Sequence, residues 1–352
     1  MVFVTIFTRL KNVHLLKDVG QIPYYMYRDG GYRSVIVTNK NDKSYSDLED
    51  KVKGVRLRFI KGKGIFYVIR CARRIDVLNV YHLNLQSFYL LWLFKLLKRK
   101  GAKSYLKLDM DDKGYDRLFM KNPVGMIKRL TIKAADVVSA ETNGIYDKLR
   151  AVYGEKVIFV TNGYYTLDKE PQKNFSKKNV ILTAGMLGTE PKATDVLIKA
   201  FVKAAGDRKD WSLKLAGPVA EGFKNPYPED ERICFTGEIT DRDKLNEMYR
   251  EAKIFAFPSR HESFGIAMLE AAACGDYIIS TTGVPAAGDI IDVTGAGDIV
   301  PPDDPDSLAE ALKRAMEPDF DRNVKPEEIA ERTFKYYSWS RVVSGLIKAL
   351  NP

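Results

Sequence analysis

Residues Pro258–Gly275 read PSRHESFGIAMLEAAACG, and the rest of the chain is interpreted outward from them. The apolar run Ile254–Pro258 has the length and composition of a buried strand ending at Pro258-Ser259. A short polar loop follows, then a helix from about Gly265 to Ala273 that Gly275 stops. Glu262 lies in the loop and Glu270 eight residues later in the helix. At about 100° per residue, eight positions return to within roughly a quarter turn. Both carboxylates are therefore expected to line one cleft at the carboxyl edge of a parallel sheet, where open α/β folds bind ligands. Gly265 lets the backbone approach a ligand closely. The helix start offers N–H groups and the positive end of a dipole, which suits a diphosphate. The bland alternative is a solvated Glu262 and a surface Glu270. It is opposed by Met268, Leu269 and Ala271–Ala273 around Glu270, where an unpartnered carboxylate would be costly.

The same alternation of elements continues on both sides, without internal repeats. Short apolar runs alternate with longer helical patterns, which is the pattern of parallel sheets with crossover helices. In the second half these runs are Val180–Ala184, Ser212–Ala216, Ile233–Thr236, Ile254–Pro258 and Tyr277–Ser280. In the first half they are Phe3–Phe7, Ser34–Thr38, Val77–Tyr81, Tyr105–Leu108 and Asp136–Ala140, with a helix from about Leu85 to Lys100. The turn Thr161-Asn162-Gly163 and the polar, aperiodic TLDKEPQKNFSKKN beginning at Thr166 mark a break between the halves. The aromatic-rich segment Tyr336–Leu350 is expected as a helix that crosses back to the first domain. The expected domains are 1–165 plus 336–352, and 166–335. The fold class is α/β, two Rossmann-like domains facing a cleft.

Composition agrees with this and narrows the function. A chain of 352 residues, 45% hydrophobic, fits two domains with real cores. The longest apolar run, Phe88–Phe94, has seven residues, far short of the ~18 that a membrane span needs. MVFVTIFTRL has no basic region ahead of its apolar stretch, so it is expected as a first strand and not a signal peptide. Cys71, Cys234 and Cys274 are far apart without metal-ligand spacing, which fits small core residues in a reducing, cytoplasmic compartment. Of 56 basic and 46 acidic residues, positions 1–150 hold 30 and 14, net +16; the rest hold 26 and 32, net −6. A basic first half suggests an anionic partner: nucleic acid, a phosphorylated acceptor or an anionic membrane surface.

Glu262, Phe264, Gly265 and Glu270 together resemble the E-x₇-E element of retaining GT-B glycosyltransferases (glycosyltransferase family 4-like, glycosyl transferases group 1), a group typified by sucrose synthases and bacterial polysaccharide mannosyl- and glucosyltransferases. Ala184-Gly185 with Lys192 and Asp195-Val196-Leu197-Ile198 resembles that family's first strand and diphosphate-binding lysine. Leu215-Ala216-Gly217 and Phe235-Thr236-Gly237 resemble its next two strand ends, Gly237 lying near the nucleobase. Gly295–Pro302 with Asp306-Ser307-Leu308 resembles its closing segment, and Asn162-Gly163 the turn before its interdomain linker. The resemblance implies transfer of a hexosyl unit, with retention and front-face departure, from a nucleoside-diphosphate sugar to a lipid-linked or polysaccharide acceptor. The donor would bind the second domain and the acceptor the first. Glu262, with the backbone at Ser263, Phe264 and Gly265, would hold the transferred sugar, Glu270 the ribose, and Lys192 the departing diphosphate beside Gly185. No metal or other cofactor is implied. Two positions depart from the family pattern: Met186 stands where an Arg is usual, with Arg260 as a possible substitute, and Asp109 stands where a His is frequent. On the acceptor side, His82 and Gly20 are the expected contributors, with Asp109 facing the sugar as a catalytic polar group.

Other motifs point elsewhere. Asp109-Met110-Asp111 has the D-x-D form of metal-dependent transferases of a different fold, a short pattern outweighed by the second-half matches. Thr294-Gly295-Ala296-Gly297-Asp298 resembles the anion hole of ribokinase-like sugar kinases, but Pro301-Pro302 leaves no room for the helix that motif must open. A non-catalytic basic protein that binds nucleic acid or a membrane explains the charge and leaves Glu262, Gly265, Glu270 and Lys192 as coincidence. The favoured partners are a nucleotide-sugar donor, an anionic or lipid-linked acceptor and an anionic inner membrane face, without nucleic acid.

Overall fold

A computed structural model of the chain describes residues 1–40, 45, 51–165, 170–318, 320 and 324–350. Residues 166–169 of the polar connection lie outside these. The chain divides into two compact units, Met1–Tyr165 with Tyr337–Pro352, and Thr166–Tyr336.

The first unit runs β1 (Val2–Ile6), α1 (Asp18–Arg28), β2 (Arg33–Asn39), β3 (Arg56–Ile60), α2 (Ile65–Cys71), β4 (Val77–Tyr81), α3 (Leu85–Leu97), β5 (Lys103–Lys107), α4 (Asp112–Asp116), α5 (Pro123–Ala134), β6 (Val137–Ala140), α6 (Asn143–Tyr153) and β7 (Val157–Phe159). Its sheet is parallel in the order β3-β2-β1-β4-β5-β6-β7. The apolar runs became strands because a parallel sheet covered on both faces buries nearly every side chain, as in β4, where all five residues are buried. Two strands carried no readable signal. RLRFI of β3 alternates arginine with apolar residues because it forms a mostly exposed edge, and β7 has only three residues. Helix α3 starts where the Asn84 Oδ1 accepts the Ser87 N–H at 2.9 Å.

The second unit runs β8 (Lys178–Ala184), α7 (Thr194–Ala205), β9 (Ser212–Ala216), β10 (Ile233–Gly237), α8 (Arg242–Glu251), β11 (Ala252–Phe257), α9 (Ile266–Ala273), β12 (Tyr277–Thr281), α10 (Pro285–Thr294), β13 (Gly297–Val300), α11 (Pro305–Met316) and α12 (Pro326–Tyr337). This sheet is also parallel, in the order β10-β9-β8-β11-β12-β13. The TGAGD segment enters strand β13, which excludes the helix that a kinase anion hole requires.

The terminal segment is two helices, not the single Tyr336–Leu350 helix expected. Ser338 forms a parallel bridge with Tyr164, which interrupts the helical ladder between α12 and α13 (Trp339–Leu350). Helix α13 packs on α1 of the first unit, placing Trp339, Val342, Val343, Leu346 and Leu350 in one core with Phe3, Ile22 and Met26. Each such side chain contributes about 1.5–3 kcal/mol when fully buried. The cysteines divide: Cys274 is buried, its thiol pushed up to about 12 by desolvation, and Cys71 is half-buried. Cys234 is exposed, correcting its reading as a core residue, because it lies on the edge strand β10.

Candidate active site

In each sheet the strand order reverses once, between β1 and β4 in the first unit and between β8 and β11 in the second. At such a point the loops leaving neighbouring strands diverge and open a crevice. Gly185 and Pro258, which follow β8 and β11, therefore begin at the switch point of the second unit. Three neighbouring strands there terminate in glycine: Gly185 after β8, Gly217 after β9 and Gly237 at the end of β10. The Gly185 N–H donates to the Ala216 carbonyl at 2.9 Å, and the Gly217 N–H to the Gly237 carbonyl at 3.0 Å. A Cβ on Gly217, at φ 140°, would lie 1.8 Å from the Gly185 oxygen, so only glycine lets these strand ends approach. A small pocket beside them is bordered by Gly185, Met186, Lys192, Phe257 and Ser259. Met186, standing where an arginine was anticipated, presents an apolar side chain 47% exposed.

The fold joins two residues 70 positions apart. Lys192 ends a short 3-10 turn ahead of α7, and its ammonium pairs with the Glu262 carboxylate. The same ammonium stands 4.7 Å from the centre of the Phe257 ring. Both charged side chains keep about a quarter of their surface in water, 25% and 27%. The Glu262 N–H donates to Gly283 at 3.2 Å, which anchors the loop to the end of β12. Gly265, at φ 80°, caps α9, where a Cβ would strike the Phe257 ring. Phe264 is buried and Ser263 half-buried between them. Arg260 faces other partners: its Nε donates to Asp303 at 2.5 Å, and Asp195 lies 3.5 Å from its Nη2.

Glu270 occupies a different setting from Glu262. Its side chain is 13% exposed and pairs with the Arg242 guanidinium at the start of α8. The Tyr249 hydroxyl, also on α8, donates to its other oxygen at 3.2 Å. Burial opposes the charge on Arg242, but Glu270 more than offsets it and holds the guanidinium above its usual range. Burial, then Glu270, pushes the Tyr249 phenol well above 10. These partners resolve how a carboxylate sits among Met268, Leu269 and the alanines. Nothing in the sequence pointed to Arg242 or Tyr249, because they lie on another helix, 28 and 21 positions away. A separate recess of this unit, between residues 170–178 and α8, contains none of these side chains.

The first unit gathers its polar residues at its own carboxyl edge. His82 follows β4 at φ 62°, a left-handed conformation rare outside glycine, and its N–H donates to the Lys107 carbonyl at 3.1 Å. Gly20 lies inside α1, where a Cβ would sit 2.3 Å from the Leu15 carbonyl oxygen, so it serves close backbone packing. Asp109 is exposed after β5 and meets the carboxyl of Glu141, which follows β6. Asp111 caps α4 by accepting the Gly114 N–H at 2.7 Å. Lys107 and Glu141, absent from the sequence reading, are both buried, with ammonium and carboxylate 2.9 Å apart. The available signal was a lysine between Leu106 and Leu108.

The profile of the family described as glycosyl transferases group 1 matches residues 166–333. A protein of Salinispora tropica named D-inositol 3-phosphate glycosyltransferase is 33% identical over 172 residues, 44% of this chain and 35% of that protein. The O-antigen chain mannosyltransferase B of Escherichia coli is 26% identical over 199 residues, 55% of this chain and 47% of that protein. The matched stretch thus spans little over a third to about half of the length of these curated relatives. Among solved structures, Anabaena HepE (Alr3699) in complex with UDP superposes with a TM-score of 0.73 at 14% identity, covering 99% of both chains. The lipopolysaccharide outer core galactosyltransferase WaaB in its apo form gives 0.73 at 15% identity over 99% of each. At such identity the structures share the GT-B fold.

Proposed function

We propose, from the match of residues 166–333 to the glycosyl transferases group 1 family, that this chain transfers a hexosyl unit from a nucleoside-diphosphate sugar with retention of configuration. One observation carries the reading: Lys192, Glu262 and the start of α9 converge beside the glycine-lined strand ends at the switch point of the second unit. The first N–H groups of a helix have no partners within it and attract an anion. Lys192 adds a mobile positive charge where negative charge grows on the leaving oxygen in the transition state. Glu262 pairs with that lysine; a bound diphosphate would take over this task and release the carboxylate for sugar hydroxyls. Glu270, held by Arg242 and Tyr249, receives the ribose hydroxyls. No step in this scheme requires a metal ion.

For the acceptor side, the first unit supplies a basic surface with apolar side chains in water. Phe66 of α2 is 84% exposed and Leu96 of α3 81% exposed. Trp92 is exposed one turn before Leu96 on α3, and Arg70, Arg73, Lys95, Arg99 and Lys100 are exposed on these two helices and just after them. Helices α2 and α3 pack side by side. An anionic leaflet at the cytoplasmic face complements both features, at about 1 kcal/mol per basic residue near the surface, and a lipid-linked acceptor would be reached there. No helix among the described residues is long and apolar enough to cross a membrane. A screen of UDP-, GDP- and ADP-sugars for slow hydrolysis without acceptor tests the reading. Hydrolysis of one donor is expected, and no binding or turnover of any would overturn it.

A further inference from the structure

At the amino edge of the first unit, opposite the strand ends that carry His82 and Asp109, the starts of β2 and β3 enclose a recess of about 480 Å³. Tyr27, Arg33, Gly54, Val55 and Arg56 border it, with no carboxylate among the described residues. Elsewhere along this edge the cations are paired: Arg28 with Asp29 at 2.6 Å, Lys98 with Asp136 at 2.5 Å, and Arg99 with Asp76. Arg33 and Arg56 are exposed, and neither guanidinium has a hydrogen-bond or ion-pair partner among the described residues. Charge on an edge strand blocks pairing with another sheet, which accounts for Arg56. It does not account for Arg33, which opens the inner strand β2. The parallel register sets Arg56 beside Val35, and Arg33 is two residues before Val35. Both side chains therefore leave the same face of the sheet, on Cα atoms roughly 8 Å apart. Lys53 and Arg58, also exposed, flank Arg56 in the chain. A Cβ on Gly54, at φ 100°, would lie 2.1 Å from the Tyr27 ring, so glycine lets that ring close on the backbone and wall the recess.

We propose that this recess binds a phosphomonoester between Arg33 and Arg56, a site that the glycosyltransferase reading neither requires nor supplies. A guanidinium presents parallel N–H donors that match a pair of phosphate oxygens. A phosphomonoester offers three terminal oxygens and close to two negative charges at neutral pH, enough to engage both forks. A carboxylate or a phosphodiester brings two oxygens and one charge, and leaves one arginine without a partner. The recess is larger than a bare phosphate needs and has the size of a small-ligand cleft. The Tyr27 ring and the buried Val55 give it an apolar wall for the organic part of the ester. A soluble phosphate ester and a lipid with a phosphomonoester headgroup share this chemistry. The recess lies one strand length, ~20 Å for the seven residues of β2, from the carboxyl edge. Its occupant does not react there; it stabilises the chain by binding only the folded state.

The test uses the full chain with glucose 6-phosphate, glycerol 3-phosphate and uridine monophosphate beside glucose, glycerol and uridine. Phosphatidylcholine vesicles with and without phosphatidic acid form the lipid arm. Calorimetry and thermal melts follow the soluble probes, and co-sedimentation follows the vesicles. Saturable binding of at least one phosphorylated probe is expected, with its phosphate-free counterpart inert. Arg33→Gln and Arg56→Gln should each weaken that binding about tenfold or more, whereas Lys133→Gln, an exposed cation at the end of α5, should change it less than twofold. Arg56→Lys keeps the charge without the fork and should remain severalfold weaker than wild type. Without ligand, these variants should melt within about 2 °C of wild type, because the side chains are exposed and unpaired. Binding of the soluble esters alone assigns a soluble ligand, and binding of the phosphatidic acid vesicles alone assigns a lipid headgroup. Absence of saturable binding by every phosphorylated probe, equal binding of the phosphate-free counterparts, or unchanged affinity in Arg33→Gln and Arg56→Gln would overturn the proposal. Donor hydrolysis should stay within twofold in both variants; whether any sugar nucleotide turns over at all is decided by the hydrolysis screen and tests the glycosyltransferase reading separately.

Discussion

Replacing Glu270 by Gln separates a donor ligand from a structural ion pair, and the geometry sets the size of each effect. Both carboxylate oxygens are in use, one on Arg242 and the other on the Tyr249 hydroxyl. Glutamine keeps one acceptor, and its NH₂ must then face a donor. A hydrogen bond to a charged group is worth about 1.5–3 kcal/mol. The Arg242 side chain is 31% exposed, so water recovers part of the loss. A net loss of about 2 kcal/mol lowers the melting temperature by about 4–8 °C for a unit of this size. If the ribose also rests on Glu270, exchanging a charged for a neutral acceptor costs another 1–2 kcal/mol in binding, roughly tenfold in Kd. Glu262→Gln provides the contrast. Its pair with Lys192 is about a quarter exposed at both ends, where such pairs contribute about 0–1 kcal/mol. The melt should move by no more than about 4 °C, and affinity for free nucleoside diphosphate should stay near wild type while turnover falls. Calorimetry with UDP and GDP plus a thermal melt on each variant measures both effects. Equal nucleotide affinity across wild type and both variants, or equal losses in the two, would refute the assignment.

Donor turnover should continue in excess EDTA, since Lys192 and the α9 start are assigned the diphosphate; abolition by chelation and rescue by Mn²⁺ would overturn that. Native Glu141 keeps a proton that the unfolded chain releases above its ordinary 4.5, so this residue makes stability fall as pH rises from about 4.5 to about 8. Melts across that range should show a smaller decline in Glu141→Gln. Binding to anionic vesicles should weaken steeply with salt, and replacing Phe66 and Leu96 by serine should weaken it roughly tenfold or more; salt-insensitive binding would count against the cationic surface. Gly217→Ala should lower the melting temperature by more than about 10 °C or prevent folding, because its Cβ meets the Gly185 oxygen at 1.8 Å. A soluble variant with an unchanged melt would show that the strand ends can separate.

The α/β class was legible in the sequence because buried parallel strands are short apolar runs, and both Val77–Tyr81 and Ser212–Ala216 are strands over those bounds. PSRHESFGIAMLEAAACG was legible for the same local reason: proline, glycine and helical periodicity act within a few residues. The strands at Arg56–Ile60 and Val157–Phe159 were not, since an exposed edge does not select apolar residues and three residues are too few to show a period. The break at Ser338 depends on a bridge to Tyr164, 174 positions away. The electrostatic partners were equally hidden. Glu262 and Glu270 could be named from spacing, but Lys192 on one, Arg242 and Tyr249 on the other, and the Lys107–Glu141–Asp109 cluster are set by which strand ends become neighbours in a sheet ordered 3-2-1-4-5-6-7 or 10-9-8-11-12-13. A local pattern determines an element and the residues at its end; only the packed sheet decides which of those ends share a crevice, because charge acts through space and not along the chain.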